Sequence, residues 1–162
     1  PEPLLKQVSK PVTEFDAELK QLAEDMVETM YDAPGVGLAA PQVGELKRLI
    51  VMDCSGSGNP ADLLVAVNPE IVEKDGESYE EEGCLSVPEY YAPVKRFNWV
   101  TMSYQDVEGK SHLRQAEGLL AVAMQHEIDH LQGVLFVDHL SPLKRSIFRK
   151  KYKKLMQEKE EA

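Results

Sequence analysis

The segment His126-Glu127-Ile128-Asp129-His130 constrains the fold more than any other part of this 162-residue chain. Histidines four positions apart lie on one face of an α-helix, where both rings can reach a single metal ion. The glutamate after the first histidine then lies within reach of a water molecule that the ion activates. Taken alone, the short pattern leaves two interpretations open, a hydrolytic metal site and a surface helix with two ordinary histidines.

The residues on either side predict that this helix is buried. Apolar side chains precede and follow the segment, namely Leu119, Leu120, Val122, Ala123, Met124, Val134, Leu135 and Phe136. A helix that is apolar nearly all round is typical of a protein core. Buried histidines need polar partners, and a metal ion supplies one for each ring, so the flanking residues favour the metal site.

A hydrolytic metal site commonly has three protein ligands and an open position, so a third ligand is needed. Phe136 stands where a metzincin would have histidine, and the last helix-length segment has its acids at its far end, which disfavours a thermolysin-like glutamate. Cys84 is the better candidate, because Gly83 beside it allows close approach and a thiolate binds iron or zinc strongly. A structural zinc site that adds Cys54 to Cys84 and the two histidines stays open, although the two cysteines form no short pair.

A third segment, from Gly35 to Gly44, sets glycines and small residues around Gln42. It lacks the Lys-Ser/Thr end of a phosphate-binding loop, and by itself it is typical of a tight turn between a helix and a strand. Together, however, the motifs Gly-Val-Gly-Leu-Ala-Ala-Pro-Gln-Val, Glu-Gly-Cys-Leu-Ser and Gln-His-Glu-Ile-Asp-His resemble the three motifs of the peptide deformylases, in that family's order. The resemblance extends from about Pro3 to the C-terminal helix.

The resemblance implies a role for each matching residue. The metal ligands would be Cys84, His126 and His130, and Glu127 would move the proton. The side-chain amide of Gln42 and the backbone N–H of Leu85 would form the oxyanion hole. The substrate would contact Val36, Gly37, Leu38, Val122 and Ala123, with Gly37 hydrogen-bonding its backbone and the others, with Leu85 and His126, surrounding the methionine side chain. For Val122 and Ala123, ordinary core packing is an equal alternative.

The resemblance also implies the reaction, which is hydrolytic removal of the N-formyl group from the formyl-methionine of newly synthesised polypeptides. In this family one Fe(II) ion per chain is the physiological cofactor, and the same ligands admit Zn, Ni or Co. Two alternatives remain, a non-enzymatic structural-zinc domain and an endopeptidase with the His-Glu-x-x-His motif.

Four further residues carry expectations. We expect Glu82 and Arg96 to form an ion pair that braces the Cys84 segment. Asp129 is expected to be a hydrogen-bond acceptor that orients a ligand, the alternative being a backbone cap. Tyr91 departs from the arginine that many bacterial relatives have there to hold the downstream peptide backbone.

Periodicity and turn residues predict one α+β domain over residues 1–162, with antiparallel or mixed sheets around the buried metal helix. An N-terminal helix is predicted from Thr13, as its cap, to Tyr31, and the metal helix from Gly118 to Gln132. The predicted strands are 47–53, 63–73, 78–80, 92–93, 98–105 and 111–116.

Composition excludes several classes. The 43% hydrophobic content suits a full core, and two cysteines without short spacing argue against a disulfide framework. The longest apolar runs span about seven residues, where a membrane helix needs roughly 20. A net charge of −10 argues against general nucleic-acid affinity. We therefore expect a cytoplasmic protein with no membrane or disulfide partner, preceded by a few further residues.

The last predicted helix, about 141–160, is basic within this acidic chain. Ser141 and Pro142 predict its start, and its cations are Lys144, Arg145, Arg149, Lys150, Lys151, Lys153 and Lys154. One interpretation is a solvated amphipathic helix. The other, by family analogy, is contact with the ribosome, in which the basic residues meet RNA phosphates.

Overall fold

The computed structural model of this protein describes residues 3–55, 62–84 and 86–161. These residues form helices and antiparallel sheets. The α-helices are α1 (Ala17–Asp32), α2 (Gly118–Leu131) and α3 (Pro142–Glu161), and short 3-10 helices span Pro3–Lys6, Ala40–Val43 and Phe136–His139. The strands are β1 (Gly37–Ala39), β2 (Leu49–Met52), β3 (Leu64–Asp75), β4 (Ser78–Cys84), β5 (Val87–Arg96), β6 (Trp99–Gln105) and β7 (Ser111–Glu117).

The larger sheet has five antiparallel strands in the order β1-β2-β3-β6-β7, and β4 pairs with β5 in a separate hairpin. Strand β2 lies between two helices, and all four of its residues are buried. Leu49 and Val51 pack in one cluster with α1, whereas Ile50 and Met52 pack in another with α2. Since successive side chains of a strand point to opposite faces, a strand covered on both faces is apolar throughout.

Helix α2 is the central buried element that the sequence predicts. Eight of its residues are buried, including Glu127 and His130, and it contacts β1, β2, β6 and β7. A third apolar cluster joins the hairpin to the Phe136–His139 helix and to Phe148 of α3. The prediction of a single α+β domain, in which a buried central helix comes between an N-terminal and a C-terminal helix along the chain, is thus confirmed. Within the described ranges, none of the helices combines the length and apolarity that crossing a membrane requires.

The start of α1 differs from the prediction. The helix begins at Ala17, and its cap is Asp16, whose Oδ1 accepts the backbone N–H of Leu19 at 3.0 Å. Thr13 and Asp16 are both able to cap a helix, but Asp16 stands three positions before Leu19, the first buried residue of the stripe. Phe15 therefore precedes the helix and packs from outside it against the same cluster.

Two strand predictions also need correction. The segment Gly37–Ala39, interpreted as a turn, is the edge strand β1 paired with β2. The hairpin strands β4 and β5 are longer than the predicted 78–80 and 92–93, because they pair from Ser78 opposite Arg96 to Cys84 opposite Val87, with a shift of register between Glu82 and Cys84. This pairing carries Cys84 to the end of the hairpin.

Candidate active site

Cys84, at the end of β4, and two histidines of α2 converge on one point. The Sγ atom of Cys84 and the ring nitrogens of His126 and His130 all lie within 4.8 Å of one another. The closest pair is Cys84 Sγ and His130 Nε2, at 3.3 Å. Among the described residues this is the group of three that can hold a metal ion, and Cys54 is not part of it.

The donor set fits a divalent metal ion. His126 Nδ1 lies 2.9 Å from Glu82 Oε1, which leaves its Nε2 for a metal. Burial and the neighbouring His126 lower the pKa of His130 to about 3, so that ring is neutral and has a free lone pair. One sulfur and two imidazole nitrogens suit iron, zinc, nickel or cobalt, and three protein ligands leave a position open.

Glu82 is held by a buried guanidinium. Arg96 donates from Nε to Glu82 Oε2 at 2.8 Å and from Nη2 to Oε1 at 2.9 Å, and the two side chains are only 4% and 6% exposed. Burial favours the neutral acid, but Arg96 and then His126 hold the pKa of Glu82 below its usual value. The predicted Glu82–Arg96 pair is confirmed, and it orients His126.

Asp129 acts on the same network from farther away. Its Oδ2 accepts from Arg96 Nη1 at 2.5 Å and lies 2.8 Å from His139 Nε2. Burial opposes the charge of Asp129, yet His139 and Arg96 lower its pKa. The carboxylate therefore reaches the ring of His126 only through Arg96 and Glu82, rather than by direct contact with a ligand.

Glu127 lies between the histidines in sequence and is 3% exposed. Burial raises its pKa to about 7, although His126 and Arg96 act in the opposite direction. Its carboxylate faces Gly37 of β1, where a Cβ atom would lie 2.6 Å from Glu127 Oε2. Only glycine leaves room for this approach, so the edge strand that the sequence analysis missed positions the acid.

Gln42 is fixed at both ends of its amide. Its Oε1 accepts the backbone N–H of Ala39 at 2.9 Å, which directs the Nε2 group toward the metal ligands. Nε2 donates to Ser86 Oγ at 3.0 Å and lies 3.5 Å from Cys84 Sγ. The amide therefore presents N–H groups beside the proposed metal position without rotating freely.

A cavity of about 470 Å³ opens onto these groups. It is lined by Pro34, Gly35, Val36, Gly37, Gln42, Gly83, Cys84, Tyr91, Ala123, His126 and Glu127. Of the residues expected at the substrate, Val36, Gly37 and Ala123 lie here, whereas Leu38 and Val122 are buried and do not line it. Leu85 lies outside the described residues.

Tyr91 is a wall of this cavity that the expected substrate contacts did not include. Its ring lies against the backbone of Gly83, where a Cβ atom would be 2.3 Å from Tyr91 Cε1. The side chain is nonetheless 64% exposed. The ring gives this side of the cavity a flat aromatic surface.

A cysteine sulfur, two imidazoles and a buried glutamate beside a cavity are the groups of a metal-dependent hydrolase. The family model described as polypeptide deformylase matches residues 1–146. The chain belongs to this family, the peptide deformylases.

Individual relatives agree with this assignment. The peptide deformylase of Brucella suis biovar 1 (strain 1330) is 54% identical over 156 residues, covering 96% of this chain and 89% of that protein. A crystal structure of a Legionella pneumophila peptide deformylase superposes with a TM-score of 0.93 at 49% identity, covering 100% of this chain and 95% of that one. The crystal structure of the Thermus thermophilus enzyme gives a TM-score of 0.86 at 40% identity, covering 96% and 93%. The chain is thus an enzyme that removes the N-formyl group from nascent polypeptides.

Proposed function

We propose that Cys84, His126 and His130 hold the catalytic metal ion of this deformylase and that Glu127 transfers the proton. The observation that carries the proposal is the convergence of the three donor atoms within 4.8 Å beside a carboxylate that is 3% exposed. When bound, a divalent metal ion supplies Lewis acidity, which lowers the pKa of water and polarises a carbonyl group.

Glu127 is placed to take and return one proton. It accepts the proton that the attacking water loses, and it gives that proton to the amine nitrogen as the bond to the formyl carbon breaks. Cys84 is a ligand in this scheme and forms no covalent bond with the substrate.

The formyl oxygen becomes negative in the transition state, and Gln42 supplies a donor for it. The hydrogen bonds from Ala39 and to Ser86 orient the amide beforehand, so little reorganisation accompanies the reaction. By family resemblance the backbone N–H of Leu85 is the second donor. A donor of this kind contributes about 3 kcal/mol to the transition state.

The substrate occupies the 470 Å³ cavity in this proposal. Val36 and Ala123 contact the methionine side chain, and Gly37 hydrogen-bonds the peptide backbone from β1. For Leu38 and Val122, which do not line the cavity, the proposed role is to back its wall from the core.

Fe(II) is the proposed physiological ion, one per chain, and Zn, Ni or Co can take its place in purified protein. The support is the family and the mixed sulfur and nitrogen donor set, which several of these ions share. Reconstitution with each metal under nitrogen, followed by metal analysis and formate release, tests the proposal. Activity with zinc well above that with iron would contradict it.

The experiment that tests the whole assignment measures formate release from formyl-Met-Ala-Ser by Fe(II)-loaded protein. Cys84→Ser is expected to lose metal and activity, whereas the matched control Cys54→Ser retains both, because Cys54 is outside the metal group. Loss of metal in Cys54→Ser would instead support the structural-zinc alternative. Cleavage of internal bonds in casein would support the endopeptidase alternative.

We also propose that α3 contacts the ribosome, and that the enzyme works in the cytoplasm as one catalytic domain that includes this helix. Lys150, Lys151, Lys153 and Lys154 are all exposed on it. Replacing these four by glutamine is expected to abolish co-sedimentation with ribosomes at moderate salt. The control replaces four other exposed lysines, Lys10, Lys20, Lys74 and Lys110, and is expected to retain binding. Equal binding by both variants would contradict the proposal.

A further inference from the structure

His139 ends the short helix Phe136–His139 and lines a second cavity, of about 360 Å³. Three residues of α2 line the same cavity, namely Gln125, Ile128 and Asp129. The active-site cavity has different residues of α2 in its wall, namely Ala123, His126 and Glu127. With 3.6 residues per turn, the two sets lie on opposite faces of the helix. His139 is therefore placed behind the metal ligands rather than among the groups that can touch a substrate.

One nitrogen of the His139 ring contacts the network around Glu82 twice. Nε2 lies 2.8 Å from Asp129 Oδ2 and 3.4 Å from Arg96 Nη1. A guanidinium group only donates hydrogen bonds, and an ionised carboxylate only accepts them. The shorter contact therefore assigns a proton to Nε2, which donates it to Asp129. The ring makes this bond in its neutral and its protonated form alike, because Nε2 carries hydrogen in both.

Asp129 passes this constraint to a rigid cation. Its Oδ2 atom accepts from both His139 Nε2 and Arg96 Nη1. Nε and Nη2 of the same guanidinium donate to the two oxygens of Glu82. The guanidinium is planar, so the directions of its donors are fixed relative to one another. A change in the direction of Nη1 therefore turns the whole group against Glu82.

Glu82 in turn holds the ring of His126, whose Nδ1 lies 2.9 Å from Glu82 Oε1. This hydrogen bond decides which nitrogen of His126 faces the proposed metal position. The side chains between the two histidines are mostly shielded from water, with exposures of 25% for Asp129, 4% for Arg96 and 6% for Glu82. Without the imidazole of His139, Asp129 is the member that can turn towards solvent, and Arg96 then loses the acceptor that fixes Nη1.

We propose that His139 is a positioning residue for His126 and acts through the hydrogen-bonded side chains between them. His139 has this role only if His126 binds the metal ion, as proposed for the active site. The imidazole holds Asp129 against Arg96. The guanidinium then keeps the carboxylate of Glu82, and with it the ring of His126, in one orientation.

The test uses the full chain loaded with Co(II), whose visible absorption spectrum reports the geometry of its ligands. His139→Phe keeps an aromatic ring and removes the N–H donor. We expect a changed spectrum and a Co(II) dissociation constant, measured by competition with a chelator, that is about tenfold higher, the lower end of the effect of residues that orient a metal ligand. His139→Gln, whose side-chain amide offers an N–H in place of Nε2–H, should recover most of both.

His112→Phe is the matched control. His112 Nε2 also lies 2.8 Å from a carboxylate oxygen, Asp106 Oδ2, and the side chain is 43% exposed, against 36% for His139. His112 belongs to β7, away from the metal ligands, so the control should change the dissociation constant less than about twofold. His139→Ala repeats the test if His139→Phe does not fold, since this position is exposed.

A wild-type spectrum and dissociation constant in His139→Phe would overturn the proposal. So would equal changes in His139→Phe and His139→Gln, because the lost hydrogen bond would then not be the cause. Cys84→Ser separates these results from failure of the metal assignment. A spectrum unchanged by Cys84→Ser would show that the proposed metal site is wrong, and the role of His139 would fall with it.

Discussion

Replacing Gly37 by alanine is expected to displace the carboxylate of Glu127, the proposed proton carrier, while leaving the proposed metal ligands in place. A Cβ atom at this position would lie 2.6 Å from Glu127 Oε2, where ordinary contact begins at 3.4 Å, so the two must separate by about 0.8 Å. The backbone itself accepts alanine, because Gly37 does not have a positive φ. Alanine also retains the backbone N–H and C=O that are proposed to contact the substrate.

A misplacement of about 1 Å in a catalytic group can lower the rate about 100-fold. We therefore expect Gly37→Ala to lower kcat by about that factor, with little change in KM or in metal content. The assay is steady-state formate release, with bound metal measured in the same samples.

A double-mutant cycle with Glu127→Gln is the control for this prediction. If alanine acts through Glu127, the double variant should be hardly slower than Glu127→Gln alone, because the displaced group no longer carries the reaction. A wild-type kcat in Gly37→Ala would refute the reasoning. So would a double variant whose kcat is lowered by the full product of the two single-variant factors. Loss of metal in proportion to activity would refute it as well.

Three further predictions concern the oxyanion donor, the buried ion pair and the second cysteine. Gln42→Ala should lower kcat about 100- to 1,000-fold in formate-release assays with KM nearly unchanged, and a KM effect alone would contradict its role. Arg96→Met should lower the free energy of unfolding in urea by about 3–5 kcal/mol, because it removes the guanidinium that holds the buried Glu82 carboxylate. The exposed Lys95→Met should cost less than about 1 kcal/mol, and an equal loss in both variants would contradict the account. Burial raises the pKa of Cys54 to about 11, so the rate of its alkylation by iodoacetamide, followed by peptide mapping, should still rise between about pH 10 and pH 11; a rate that levels off by about pH 10 would show an ordinary thiol.

The chemistry of the metal group could be predicted from sequence because it depends on short-range rules. Two histidines four apart share a helix face wherever that helix lies, and the apolar residues around them require burial. The pairing of Glu82 with Arg96 was also predictable, since a buried acid beside a metal ligand needs a cation. The structure confirms that pair and the central position of α2.

The remaining details depend on tertiary contacts that no local pattern contains. Gly37 lies in an edge strand only because β2 is there to pair with it, and its three residues carry no strand pattern of their own. The alternation of β1 then turns Leu38 into the cluster beneath α1 while Gly37 faces Glu127. The start of α1 was misplaced for a similar reason, because Thr13 and Asp16 can both cap a helix and the position of the buried stripe selects Asp16.

The most direct test of the central claim compares wild-type protein with Glu127→Gln at equal, full metal occupancy. The substitution keeps the size of the side chain and removes its ability to accept a proton. The account predicts that Glu127→Gln binds the metal as the wild type does and releases formate from a formyl-methionine peptide about 100- to 10,000-fold more slowly. Formate release at the wild-type rate by the fully loaded variant would contradict it.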